Sequence, residues 1–157
     1  MTEIRRIRGS EWRLFKKLRL TALKDNGDLF GRHHEEAARF GDKVWQSQTI
    51  AAAVSDEFYF LLAFEDNEAA GLCGCLRREG FGKLFALWVV PEYRGRGIGG
   101  RLVTETVAAV DEPLYKLTVV EGNTAAVRLY ESLGFALTGS GYVNDKGYRE
   151  VEMVLER

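Results

Sequence analysis

The chain has 157 residues, 46% of them hydrophobic, with 22 basic against 23 acidic side chains and a formal charge of -1. That length fits a single domain, and that apolar fraction can fill a core without disulfides or metals, while the near-zero charge excludes a global field that recruits nucleic acid or an anionic membrane. No apolar run approaches the roughly 20 residues that span a bilayer, and the opening "MTEIRRIRGSEW" lacks the apolar segment of a signal peptide, so the expectation is one soluble, cytoplasmic domain over residues 1–157.

In chain order, Glu3 to Arg8 reads as a short first strand. Ser10 then stands as an N-cap for a helix whose Trp12, Phe15, Leu18 and Ala22 recur at helical spacing, with Asn26 and Gly27 as stop signals. A polar segment with His33, His34, Glu35 and Glu36 leads to a second helix, with Asp42 as its cap and Val44, Trp45 and Gln48 on adjacent turns. The period then changes: "FYFLLAF" (Phe58 to Phe64), "AAGLCGCLRR" (Ala69 to Arg78) and "KLFALWVV" (Lys83 to Val90) are β-rich runs separated by short polar turns, which is an antiparallel meander. A helix follows with Ile98, Leu102, Val103, Val107 and Val110 on one side, stopped by Pro113. "LYKLTVV" (Leu114 to Val120) is a strand, and Asn123 to Leu133 a helix with Ala126, Tyr130 and Leu133 on one face and Gly134 as its C-cap. The tail carries a short strand at Phe135, a turn at "NDKG" and a last strand whose Val151, Met153 and Leu155 share a face. The sum is an α/β, mixed α+β domain, a sheet flanked by helices.

Cys73 and Cys75 have the spacing that puts two strand side chains on one face. A lone C-x-C with no histidine pattern is read as a pair of core thiols, with no metal.

The chemistry concentrates in "VVPEYRGRGIGGRLV", Val89 to Val103. Gly95, Gly97 and Gly100 spell the G-x-G-x-x-G of a dinucleotide turn, with Glu121 at the end of the next strand as a ribose ligand. Against that reading, Pro91 to Arg94 lengthen the turn, and the residues after Glu121 hold one helix and a hairpin instead of further parallel units. A glycine turn that opens a helix also suits a pyrophosphate: backbone N–H groups and the positive end of the helix dipole converge, and Arg94 and Arg96 add charge.

"LWVVPEYRGRGIGGRLV" resembles the acetyl-CoA-binding motif of the GCN5-related N-acetyltransferases, with Arg94, Gly97 and Gly99 as its R-x-x-G-x-G. A second signature of that family is matched by Asn123, Tyr130, Gly134 and Phe135 in "VVEGNTAAVRLYESLGFALTGSG". The resemblance implies the fold of that family, a mostly antiparallel sheet of about six to seven strands with about four helices and splayed central strands. It implies acetyl-CoA as cosubstrate, with pantetheine along Leu87, Trp88 and Val89, the Val89 N–H polarising the thioester, pyrophosphate on the amides of Gly95, Arg96, Gly97, Ile98, Gly99 and Gly100, and Asn123 holding the pantetheine arm. Tyr130 matches the family's general acid, and transfer is direct, without an acetylated Cys73. Many members carry a carboxylate on the strand Lys83 to Val90; this sequence has none there. Glu121, the segment His33 to Glu36 and relay by water are the candidates for the base, and Trp45 and Tyr142 are aromatics that could face an acceptor or pack in the core. The implied partner is a small-molecule or protein amine, with no nucleic acid and no membrane, and a homodimer is expected by resemblance. A CoA-binding regulatory module and a dinucleotide-dependent oxidoreductase are the competing classes, and the sequence does not name the amine.

Overall fold

The computed structural model describes residues 1–26 and 34–157. His33 lies outside them, so the expectation placed on it is not addressed. Seven strands, β1 (Thr2–Arg6), β2 (Phe58–Glu65), β3 (Glu68–Arg78), β4 (Phe81–Val89), β5 (Leu114–Val120), β6 (Ala136–Val143) and β7 (Arg149–Glu156), form one sheet in the order β1-β2-β3-β4-β5-β7-β6. The described helices are α1 (Trp12–Asn26), α2 (His34–Ala38), α3 (Asp42–Val54), α4 (Ile98–Val110) and α5 (Thr124–Ser132). None of them is long and apolar enough to cross a membrane.

The continuous apolar run of β2 has a direct cause: the strand is buried on both faces. Tyr59, Leu61 and Ala63 join a core with Ile98, Leu102, Val103 and Val110 of α4, while Phe60, Leu62 and Phe64 join a second core with Phe15, Leu18 and Ala22 of α1 and Trp45 and Ala52 of α3. Helices on both faces remove the polar alternation that a half-solvated strand would need. Cys73 and Cys75 both lie in the α4 core, as their spacing implies, and burial pushes each thiol up to about 12.

Every neighbouring strand pair is antiparallel except β4 with β5. Those two pair only through Gly82 with Tyr115 and Lys83 with Lys116, and then diverge into the expected V-shaped gap. Gly82 makes the closed end possible, since a Cβ there would stand 2.9 Å from the Tyr115 ring. The opening coincides with a bulge: pairing with β3 jumps from Leu72–Trp88 to Gly74–Phe85, which gives β4 one extra residue, and Ala86 adopts a φ of 57°. Such a bulge bends its strand and takes backbone amides out of the ladder.

Several local expectations are corrected. Ser10 does not cap α1; the Phe15 N–H donates to the Glu11 carbonyl (2.9 Å), so Glu11 holds the cap position. Its carboxylate meanwhile accepts from the Arg8 N–H (2.7 Å) and from the Arg5 guanidinium (2.8 and 2.9 Å), a charge-assisted set that a serine hydroxyl cannot match. Asp42 is the first residue inside α3, behind Gly41, and pairs with Lys16 at 3.2 Å. The polar segment ahead of the second expected helix contains α2, a short helix of its own anchored by the buried Ala37. The first strand ends at Arg6, and the strand expected at Phe135 begins one residue later, with Phe135 itself buried in the α4 core.

Candidate active site

The glycine turn is built as an anion cradle. Gly95 and Gly97 both have a φ of 80°, a conformation that costs a residue with a Cβ, and Gly97 is the N-cap of α4 without any side-chain cap bond. The first intrahelical bond runs from the Arg101 N–H to the Gly97 carbonyl (3.1 Å), so the amides of Ile98, Gly99 and Gly100 precede the helical ladder. Gly99 and Gly100 are informative in a different way. Neither has a positive φ, and a Cβ on either would meet only ordinary contacts, 3.7 Å or more from Leu129, Leu133 and Val89. The fold does not require their smallness; a ligand pressed against the backbone would.

Beside the turn, Arg94 donates to the Val89 carbonyl (2.9 Å) and to the Asp25 carboxylate (2.8 Å), which also accepts from the Trp88 indole (2.9 Å). These two bonds, Trp88 first, hold the Asp25 carboxyl below its ordinary range. Asp25 thereby ties the end of α1 to the loop ahead of α4, a link that sequence reasoning missed because the partners lie 63 and 69 positions apart. Arg96 stacks over the Tyr93 ring, 5.4 Å from its centre.

The gap between β4 and β5 is the floor of a cleft of about 900 Å³. Leu87, Trp88, Val89, Arg94, Gly99, Asn123 and Tyr130 all line it. Gly95, Arg96, Gly97, Ile98 and Gly100, named with them from the sequence, are not among its lining residues; the first three are exposed on the turn and Ile98 is buried in the α4 core. The Val90 N–H donates to the Ala70 carbonyl (2.8 Å), so by the alternation of an antiparallel strand the Val89 N–H faces away from β3, toward the gap. Asn123 caps α5, its carboxamide oxygen accepting from the Ala126 N–H (3.3 Å). Tyr130 packs edge-to-face on Phe135 at 5.8 Å, and burial, with a smaller push from Cys73, raises its phenol well above the ordinary value of 10.0.

The profile of the Acetyltransferase (GNAT) family matches residues 13–135. The chain belongs to that family. This GNAT chain is 30% identical over 127 residues, 73% of its own length, to the mycothiol acetyltransferase of Nocardiopsis dassonvillei, and spans 38% of that relative. Among solved structures it superposes on a GNAT acetyltransferase from Streptococcus pneumoniae with a TM-score of 0.80 at 24% identity, covering 99% of each chain. It superposes on YncA of Salmonella typhimurium, solved with its cofactor acetyl-CoA, with a TM-score of 0.81 at 16% identity, covering 99% of this chain and 94% of that one.

Two candidate acids in the GNAT chain fall in different places. Glu121 is exposed, lies 3.5 Å from Arg149, and is not among the residues that line the cleft. Glu150, passed over in the sequence because it reads as a solvated residue of the last strand, does line it. Its carboxylate accepts from Thr118 of β5 (2.8 Å) and from the Asn144 carboxamide (3.1 Å), opposite Tyr142 in the β6–β7 ladder. Glu36, from α2, also lines the cleft, as does Tyr142, whereas Trp45 is buried in the α1–α3 core.

Proposed function

We propose that this chain is an N-acetyltransferase that carries an acetyl group from acetyl-CoA to a primary amine, of a small molecule or of a protein, by direct attack on the thioester. One observation carries the reading: a single cleft is lined by Gly99 at the start of α4, by Leu87, Trp88 and Val89 on the open edge of β4, and by Tyr130. Family membership supports it, as does the acetyl-CoA bound by YncA.

Bound acetyl-CoA supplies an activated acetyl thioester. The amides from Gly95 to Gly100, with Arg94 and Arg96, would receive its pyrophosphate, and Leu87 to Val89 would receive the pantetheine as an added strand on an edge that β5 has left. With its carboxamide oxygen committed to the α5 cap, Asn123 offers its NH₂ group to the arm. The Val89 N–H meets the oxygen that turns negative when the amine nitrogen bonds to the carbonyl carbon. As the carbon–sulfur bond breaks, the electron pair stays on sulfur and Tyr130 donates the proton that makes it a thiol; its raised pKa keeps the phenol protonated at neutral pH. The amine must shed a proton, and we assign its acceptor to Glu150 in preference to Glu121, because Glu150 lines the cleft with a carboxylate held by two donors.

Calorimetric titration with acetyl-CoA, with NADH in parallel, tests the first half; release of CoA thiol in the presence of primary amines tests the second. Binding of acetyl-CoA alone and amine-dependent thiol release are the expected results. Binding without turnover of any amine would make the chain a CoA-responsive module, and binding of NADH alone would restore the dinucleotide reading.

A further inference from the structure

The Asp25 carboxylate has no part in the acetyl-transfer chemistry above. It belongs to the next-to-last residue of α1, and one of its oxygens accepts both from the Trp88 indole (2.9 Å) and from the Arg94 guanidinium (2.8 Å). Arg94 spends a second donor on the Val89 carbonyl (2.9 Å). The three bonds close a loop through Asp25, Trp88, Val89 and Arg94 that brackets the end of β4, where the open strand edge gives way to the glycine turn. Trp88 is only 5% exposed, so its indole fixes the carboxylate from the core side. Arg94 lines the cleft and Asp25 is not among the described lining residues, so whatever Asp25 does for a ligand there it does through the residues it holds.

A guanidinium carries five N–H donors in a rigid fork. Two are committed, one to Asp25 and one to Val89; these anchors fix the plane of the fork and leave three donors for an anion. Without Asp25, Arg94 would keep its charge, but its half-exposed side chain would be free to leave Val89 for other rotamers, and each binding event would have to order it again. Removing the carboxylate would also remove a repulsion for an incoming phosphate. That gain is small, because both side chains face solvent, 34% exposed for Asp25 and 50% for Arg94, and charges there are screened. Ordering outweighs charge. We infer that Asp25 is the positioning residue for Arg94, held at the end of α1 to aim the guanidinium at the pyrophosphate of acetyl-CoA. This role rests on the acetyl-CoA reading and adds to it a residue outside both glycine-bearing motifs, 69 positions upstream of Arg94.

A double-variant cycle in calorimetric affinity for acetyl-CoA tests it, with a thermal melt for every variant. Asp25→Ala is expected to weaken acetyl-CoA about fivefold, Arg94→Ala about tenfold, and the pair together only about tenfold, since Asp25 has nothing left to aim once Arg94 is gone. With an amine that the protein accepts, kcat at saturating acetyl-CoA should hold within about twofold in Asp25→Ala; a parallel fall in kcat would reduce Asp25 to a prop of the fold. Asp25→Asn, which keeps the shape of the side chain, runs through the same cycle and decides the matter if Asp25→Ala fails to fold. Losses that multiply to about fiftyfold, or an affinity that is unchanged or tighter without the carboxylate, would show that Asp25 does not position Arg94, while acetyl-CoA binding by the wild type would stand. A wild type that does not bind acetyl-CoA would sink the cosubstrate reading and this role with it. A cycle that closes as expected, with no thiol released from any amine, would uphold the role and sink acetyl transfer.

Discussion

The two faces of the sheet are built from different materials. The α4–α5 face offers backbone: glycines at 95, 97, 99 and 100, the free edge of β4 and a helix terminus. The α1–α3 face presents side chains, with the Phe15, Trp45 and Phe60 rings packed edge to face in its core. A site made of backbone suits a cosubstrate whose phosphates and amides repeat from one reaction to the next, because N–H groups recognise anions regardless of what is attached to them.

If that division is right, disturbing each side should change a different measured quantity. The largest effect is expected from Gly97→Leu, which puts a Cβ on a residue at φ 80° and bulk at the mouth of the cradle. Acetyl-CoA affinity by calorimetry should fall about a hundredfold or more, roughly 3 kcal/mol; unchanged affinity would remove the turn from the binding site. Tyr130→Phe should lower kcat about a hundredfold with acetyl-CoA affinity intact, and a parallel loss of affinity would mean the phenol is packing alone. Glu150→Gln should cut kcat/KM about tenfold, whereas Glu121→Gln should stay within about twofold. The reverse ranking would return the base to the end of β5.

Arg94→Ala is expected to weaken acetyl-CoA about tenfold at low salt, with the difference shrinking as salt rises, since half of its side chain is exposed and the contact is screened. The melting temperature should barely move, because an exposed ion pair such as Arg94–Asp25 contributes about 1 kcal/mol or less. The smallest effect is on stability against pH. Cys73 and Cys75 ionise ordinarily at 9.0, and burial raises both to about 12 in the fold. The folded chain therefore holds protons that the unfolded chain releases, so the stabilisation is complete below about pH 9 and is lost as pH climbs toward 12. Denaturant titrations at pH 8, 9 and 10 should show falling stability, with a shallower fall in the Cys73→Ala, Cys75→Ala double variant.

Much of the cosubstrate side was legible in the chain. A left-handed turn needs glycine, a pyrophosphate needs amides and positive charge close together, and all of these fall within a dozen consecutive residues, so local spacing carries the information. Strand β5 matches its expected bounds to the residue, and α4 contains every apolar position expected of it, because hydrophobic period and a terminating proline bound them clearly. The failures were of another kind. Ser10 lost the cap to Glu11 because Arg5, six positions away, supplied a stronger partner. Strand β6 was nearly invisible because all eight of its residues are exposed, leaving no alternation to detect.

The sequence by itself determined the family, since its two motifs depend on residue types at fixed local intervals. Only the tertiary structure decided which carboxylate lines the cleft. Glu121 and Glu150 look alike as acids on neighbouring strands, and the direction in which each side chain leaves the sheet separates them.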